Sequence, residues 1–307
     1  MTSSADAALH PSLADPSLPL TASGNLRRRS AVSCVVTIVA TGSALFAVAL
    51  LIEVTYTVVH KGASAVSFSF LTQNSSGLAG GGIANALLGT IVVVAFAALI
   101  ALPVGVLTGL YLTEFAGPRS RLANALKLVL DLLQGLPTII VGIVVYGLIV
   151  ASEHLETGFA ASIALAIVML PMIARSSQEM LQLVPGSLRE AADALGVDRW
   201  RTVLGVILPT AAGGIATGAI LSIARAAGET APLLLVNSLY NPTQTQLNIF
   251  GHGVPTVPMY IYTTYDLPAP SAITRAWGAA LVLLTAILLA NIAARVLLAR
   301  SRARMGL

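Results

Sequence analysis

Charge is scarce in this 307-residue chain: 10% of its residues are Asp, Glu, Lys or Arg, and 56% are hydrophobic. Soluble globular domains carry about 25% charged residues, so a water-soluble fold is excluded and an integral membrane protein is expected. Cysteine is almost missing. Cys34 stands alone, so it forms no internal disulfide and leaves the redox compartment open. Lysine occurs only at Lys61 and Lys127, and neither lies in a G-x-x-x-x-G-K-[ST] phosphate loop. A nucleotide-hydrolysing domain is therefore not expected here. There is no H-E-x-x-H, and His10, His60, His154 and His252 lie in the tail or at outer edges of apolar runs. No metal site is expected. No G-x-S-x-G elbow is present and no serine has a histidine at matching depth, so an intramembrane hydrolase would lack its nucleophile and base.

What the chain has is long apolar runs. Windows of about 20 residues suit a bilayer core about 30 Å thick, and six are read: 33–59, 85–112, 126–150, 159–178, 208–238 and 275–299. Arg27-Arg28-Arg29 before the first run resembles the basic region of a signal peptide. The run is too long for one and no cleavage site follows, so it is read as a first membrane helix. Cys34 stands at the start of the run rather than after it, which argues against a lipoprotein anchor. Residues 1–30 are read as a disordered cytoplasmic tail and 31–307 as the membrane domain.

Basic residues orient the set. With the N-terminus inside, all of the 17 Lys and Arg except Lys61, Arg225 and Arg275 fall on the cytoplasmic side, the asymmetry of the positive-inside rule. The net charge of +4 thus reflects topology rather than nucleic-acid binding. The expected fold class is an all-α membrane protein with six transmembrane helices and both termini cytoplasmic. Segments 61–84 and 238–274 lie outside. The second carries Tyr240, Tyr260, Tyr262 and Tyr265, read either as an interfacial aromatic belt or as a docking surface. Glu53 and Asp131 are expected to snorkel or pair, Lys127 being four residues before Asp131.

The loop 185–205 is a charged island between spans four and five. Pro185-Gly186-Ser187 breaks the chain, and Ser187 with Glu190 three residues on has the pattern of a capping box. Leu188, Ala191, Ala192, Leu195 and Trp200 form an apolar stripe opposite Arg189, Glu190, Asp193 and Arg199. Gly196 either ends the helix or permits close backbone approach, and Pro209 is read as an early position of the next helix. Alone, such a helix reads as one lying on lipid. The full string, Glu190-Ala191-Ala192, then Gly196, then Val206-x-Leu208-Pro209, resembles the EAA loop of bacterial type I ABC importer permeases. The resemblance implies that Glu190, Ala191, Ala192 and Gly196 contact a separate ATPase subunit. ATP and magnesium would then be bound by that partner, leaving this chain non-catalytic and without a cofactor.

Within span five, Arg225 and Glu229 stand four residues apart. A charge at the bilayer centre costs about 2.5–3.5 kcal/mol on insertion scales, so the pair is read either as a lock between helices or as an anion site. Arginine's planar fork matches the oxygens of phosphate or sulfate. Glu229 can accept the proton that phosphate still carries near neutral pH and that sulfate lacks. It can also keep Arg225 from holding the ion too tightly for conduction.

The string Arg225-Ala-x-Gly228-Glu229-Thr230-Ala-Pro232-Leu resembles the A-type permease of phosphate-specific ABC importers, the PstA family. Gly81-Gly82-Ile83 with Gly89-Thr90, Gly135-Leu-Pro137-Thr138 with Gly142, and Leu170-Pro171-x-x-x-Arg175 extend the similarity over residues 33–300. It implies a phosphate-import permease of the bacterial plasma membrane forming half of the translocation path. The partners implied are a second permease, two ATPase copies and an external phosphate-binding protein. Thr230 belongs to the matching string, and Arg175 resembles a basic position linked to the path, although it also reads as a cytoplasmic-edge anchor. The role of Gln134 stays open. A permease for sulfate, molybdate or another small polar substrate shares these features, and a secondary transporter would need no ATP.

Overall fold

The structure, a computed structural model, describes residues 24–304 except 78–79, 118, 239–240, 242 and 246–247. Most of the expected tail (residues 1–23) and Tyr240 lie outside the described residues. The regular structure among the described residues is helical apart from one isolated bridge, Ser75 to Gly81, with turns and irregular segments between the helices. In order come α1 (Gly24–Gly62), α2 (Phe68–Thr72), α3 (Ala84–Leu110), α4 (Arg121–Gly135), α5 (Thr138–Val145), α6 (Ala151–Glu153), α7 (Gly158–Gln182), α8 (Gly186–Ala194), α9 (Arg199–Thr202), α10 (Leu208–Ala226), α11 (Leu233–Val236), α12 (Val257–Tyr265) and α13 (Pro270–Arg304). Among the described residues, five helices are long and apolar enough to cross a membrane, and a sixth crossing is available if the bent pair α4–α5 is counted as one. The protein is a multi-pass, all-α membrane protein.

Residues up to Tyr56 and from Thr57 onward form two units. In the first, α1 begins at Gly24, ahead of the expected start, and the side chains from Arg28 to Tyr56 are exposed. The second is a bundle built around α3 and α7. Ala97, Ala101, Gly105 and Gly109 recur every four residues on α3 and are buried, facing Leu165, Met169, Ile173 and Ser177 on α7, also buried and four apart. A Cβ on Gly105 would stand 2.9 Å from that of Ile173, and one on Gly109 2.8 Å from the Ala174 carbonyl. Small residues in such a row let helix backbones come close, which drives association where lipid is as apolar as the side chains. Hydroxyls tie the bundle further: Ser162 Oγ donates to Val93 O at 3.1 Å, Ser222 Oγ to Met169 O at 3.3 Å and Thr217 Oγ1 to Ala294 O at 3.4 Å.

Two expected spans are broken. The run 126–150 is not one helix, because α4 and α5 meet at 106° across Leu136–Pro137. Leu136 is extended (ψ 136°), as steric conflict with a following proline requires, and Pro137 has no N–H to continue the ladder. The run 208–238 is likewise not continuous. Helix α10 ends at Ala226 and the chain turns through Gly228 and Pro232 before α11. Pro209 takes the early helical position expected of it, second in α10, although α9 runs into α10 through one π-helical turn, Val203–Ile207. The wider turn accommodates the carbonyl that Pro209 leaves without a donor.

At the α3 N-terminus, Thr90 Oγ1 accepts from Val257 N at 2.8 Å, seating α12. Asn237 exchanges two 2.7 Å hydrogen bonds with the Val254 backbone, tying the residues just before α12 to the end of α11. Tyr260 is buried whereas Tyr262 and Tyr265 are 56% exposed. The tyrosines therefore do not form one uniform belt, since Tyr260 belongs to the interior.

Candidate functional site

The two broken spans meet. Arg225, in the last turn of α10, and Glu229, in the turn beyond it, form an ion pair with Nε 3.6 Å from Oε1. That separation exceeds hydrogen-bond range. Arg225 is 60% exposed and Glu229 18%. Glu229 Oε2 also accepts from Thr138 Oγ1, the first residue of α5, at 3.4 Å. Gln134, Thr138, Pro171, Met172 and Arg225 share the lining of a cavity of about 60 Å³. The bend at Leu136–Pro137 is what brings Gln134 and Thr138 to opposite sides of one corner, next to the free end of α10. Close packing holds it, because a Cβ on Gly142 would lie 2.8 Å from the Pro232 carbonyl and 2.9 Å from its Cα. Thr138 and Gln134 join the corner although sequence reasoning gave them no role; their signal was the Gly-Leu-Pro-Thr string itself.

Thr230 and Arg175 are placed elsewhere. Thr230 lines a separate cavity of about 550 Å³ with Leu234, Pro258, Ile261, Tyr262 and Tyr265. Arg175 pairs with Asp131 of α4 and reaches Gln178 Oε1 at 3.4 Å. Asp131 thus takes Arg175 as its ion-pair partner rather than Lys127.

The loop helix α8 carries no buried residue. Glu190 and Ala191 are exposed, Ala192 is half-buried, and Leu188, Leu195 and Trp200 are exposed, so the apolar stripe is uncovered. Its C-terminus closes as a Schellman motif. Val197 N donates to Ala192 O at 3.1 Å, Gly196 N to Asp193 O at 3.0 Å, and Gly196 has φ +66°, where a Cβ is penalised. The N-terminus departs from expectation. Pro185 is the N-cap, no side chain caps it, and Ser187 sits inside the first turn, so there is no capping box. Arg189 organises this turn instead. Its Nη1 donates to Val184 O at 2.9 Å and its Nη2 to Leu181 O at 3.0 Å, capping the end of α7. The same guanidinium grips Glu114, in the π-helical turn that ends α3, with Nη2 2.6 Å from Oε1 and Nε 3.2 Å from both oxygens. Arg199 stacks over Phe115 at 6.0 Å. Glu114 went unnoticed in the sequence, its signal a lone carboxylate at the end of an apolar run.

Two broken spans that meet at an ion pair, together with an exposed small-residue helix anchored elsewhere to α3 and α7, fit a transport permease. Residues 101–303 match the family described as binding-protein-dependent transport system inner membrane component. The chain is 37% identical over 260 residues to the phosphate transport system permease protein PstA of Yersinia pestis, covering 84% of this chain and 87% of that one. It is 38% identical over 215 residues to PstA 1 of Mycobacterium tuberculosis H37Rv (70% and 68% covered) and 34% identical over 286 residues to PstA of Xylella fastidiosa Temecula1 (92% and 98%). The chain belongs to the PstA permeases of that inner membrane transport family. Among solved structures, an inward-facing form of the MetNI methionine ABC transporter aligns with TM-score 0.53 at 22% identity, over 71% of this chain and 94% of that one. An amino acid ABC transporter crystallised with histidines gives 0.51 at 16%, over 72% and 93%. These last two establish a shared fold.

Proposed function

We propose that the chain is the permease subunit of an ATP-driven importer of inorganic phosphate in a bacterial plasma membrane, lining half of the translocation path. The observation that carries it is Arg225. It is a cation at membrane depth, mostly exposed, at the open end of a broken helix, with its two terminal nitrogens unbonded among the described residues. Helix ends that line a cavity are where spanning proteins place such groups. The fork of Arg225 holds two oxygens of the ion, Thr138 donates from the neighbouring half-span, and Glu229 accepts the proton of a protonated phosphate. In this scheme Thr230 and Arg175 serve the path beyond that corner, on either side of it.

ATP is hydrolysed by a partner. The exposed face of α8, with Glu190, Ala191, Ala192 and Gly196, is the surface an ATPase subunit would grip, and both termini lie on that same cytoplasmic side. A second permease completes the path, two ATPase copies drive it, and an external phosphate-binding protein delivers the ion.

The test is uptake of radiolabelled phosphate in cells expressing the wild type, Arg225→Ala or Glu229→Gln, with membrane levels matched. Arg225→Ala should abolish uptake, and Glu229→Gln should lower it while making sulfate a better competitor. Normal uptake in Arg225→Ala removes the anion site. Displacement of phosphate by sulfate or molybdate at equal concentration in the wild type assigns the permease to another oxyanion.

A further inference from the structure

At the opposite end of α3 from Glu114 lies a further cleft, of about 570 Å³, next to Arg275 in the second turn of α13. Arg275 is 9% exposed, and its Nε and Nη1 are buried with no hydrogen-bond partner. Its Nη2 makes a single long contact of 3.4 Å to Gly77 O. No carboxylate pairs with it among the described residues. A guanidinium cannot shed its proton to relieve burial, and an unpaired buried charge is strongly unfavourable. Tyr260 is close but supplies no countercharge. Burial pushes its phenol above the usual tyrosine range, against a smaller opposing pull from Arg275, so it stays neutral.

The polar part of the lining holds no acid: Ser67, Ser69, Gln73, Ser271 and Thr274 accompany Arg275, the Thr274 hydroxyl donating to Pro270 O at 3.0 Å. Ser67 and Ser69 share one hydroxyl hydrogen at 2.9 Å, leaving the other free to donate. The backbone also makes room, since even a Cβ on Gly80 would stand 3.5 Å from Arg275 Nη1.

We propose that this cleft binds a small tetrahedral oxyanion of the phosphate class, an entry site that fills before the ion reaches Arg225. The proposal rests on the reading of the protein as a phosphate importer, and it adds a site at the other end of the bundle. The anion supplies the countercharge that the protein withholds from Arg275, and the serine hydroxyls complete its coordination.

Equilibrium binding of radiolabelled inorganic phosphate to the assembled transporter in lipid nanodiscs, without the external binding protein, tests it. Arg275→Gln should lose one bound phosphate per transporter relative to the wild type. Arg275→Lys should keep it with at least tenfold weaker affinity, and Arg225→Ala should leave it in place. Ser271→Glu puts a carboxylate one helical turn before Arg275 and should abolish the site with the arginine intact. This second variant decides the matter if Arg275→Gln fails to assemble. Unchanged stoichiometry and affinity in assembled Arg275→Gln, or in Ser271→Glu, overturns the proposal. So does displacement by acetate as effective as by phosphate, which would make this a seat for a protein carboxylate. If the wild-type transporter with its binding protein moves no phosphate under ATP, the parent reading fails. If it does and binding ignores Arg275, only the entry site fails.

Discussion

Glu114 of the α3 terminus and Arg189 of α8 form a bidentate ion pair whose shortest contact is 2.6 Å, with Glu114 only 2% exposed. The same guanidinium caps two carbonyls at the end of α7. One side chain thus fastens the exposed loop helix to both members of the central helix pair. Displacing α8 must either pull on α3 and α7 or break a buried pair.

Removing Glu114 strands a guanidinium against a closed surface. For Glu114→Ala the expected loss is about 3 kcal/mol, the low end for a buried pair because Arg189 is 27% exposed. Arg189→Lys keeps the charge but not the fork, and should also lower uptake. In both, co-purification of the ATPase should persist while phosphate uptake per ATP hydrolysed falls. An unchanged ratio in both variants would show that α8 does not act through this contact.

Gly196 is required by backbone conformation rather than by space, since a Cβ there meets nothing within 4 Å. Gly196→Ala should therefore cost about 1 kcal/mol through its left-handed φ alone, and Gly196→Asn less. Pull-down of the ATPase at graded salt reads the difference. Equal retention by alanine and asparagine variants would count against the Schellman closure as the cause.

Gly142 tests the corner. Gly142→Ala drives a methyl into Pro232 and should shift the turn that carries Glu229, lowering uptake severalfold. Gly147→Ala, with nothing within 4 Å, is the control and should transport normally. If the two variants behave alike, the corner tolerates movement and the packing argument is wrong.

Arg175 and Asp131 are 29% and 61% exposed. Such a pair contributes about 0–1 kcal/mol, so Asp131→Asn should leave expression and uptake within twofold of wild type. Arg175→Ala then separates its two roles: uptake lost at normal expression puts the residue on the ion's route, and uptake retained makes it an anchor.

The apolar runs and the basic flanks were legible because they are averages over 20 residues, which single exceptions do not disturb. The breaks were not, for the same reason. Leu136-Pro137 and the turn from Ala227 to Pro232 sit inside windows that remain apolar throughout, and hydropathy does not register a missing N–H. Gly196 was legible as a helix stop because only a few residue types tolerate its φ. Ser187 misled because a capping signature is local, whereas the actual start of α8 is fixed by Arg189 reaching other helices. Glu114 and Arg275 were invisible as sites, since their meaning lies in partners 75 and 198 residues away in the chain.

The junction at Leu136–Pro137 has a mechanical meaning. Along α3 and α7 interlocking small and large residues make sliding costly, so that pair is the frame. The two halves on either side of the junction are short, share no helical hydrogen bond across Pro137, and carry Gln134 and Thr138 at their tips. Each half is fastened to that frame separately, α5 by burying Val141 and Val145 in the α3–α7 core and α4 by burying Ala123 and Leu130 with Ala174 of α7, so the angle of the corner is set by packing on both sides and not by the backbone between them.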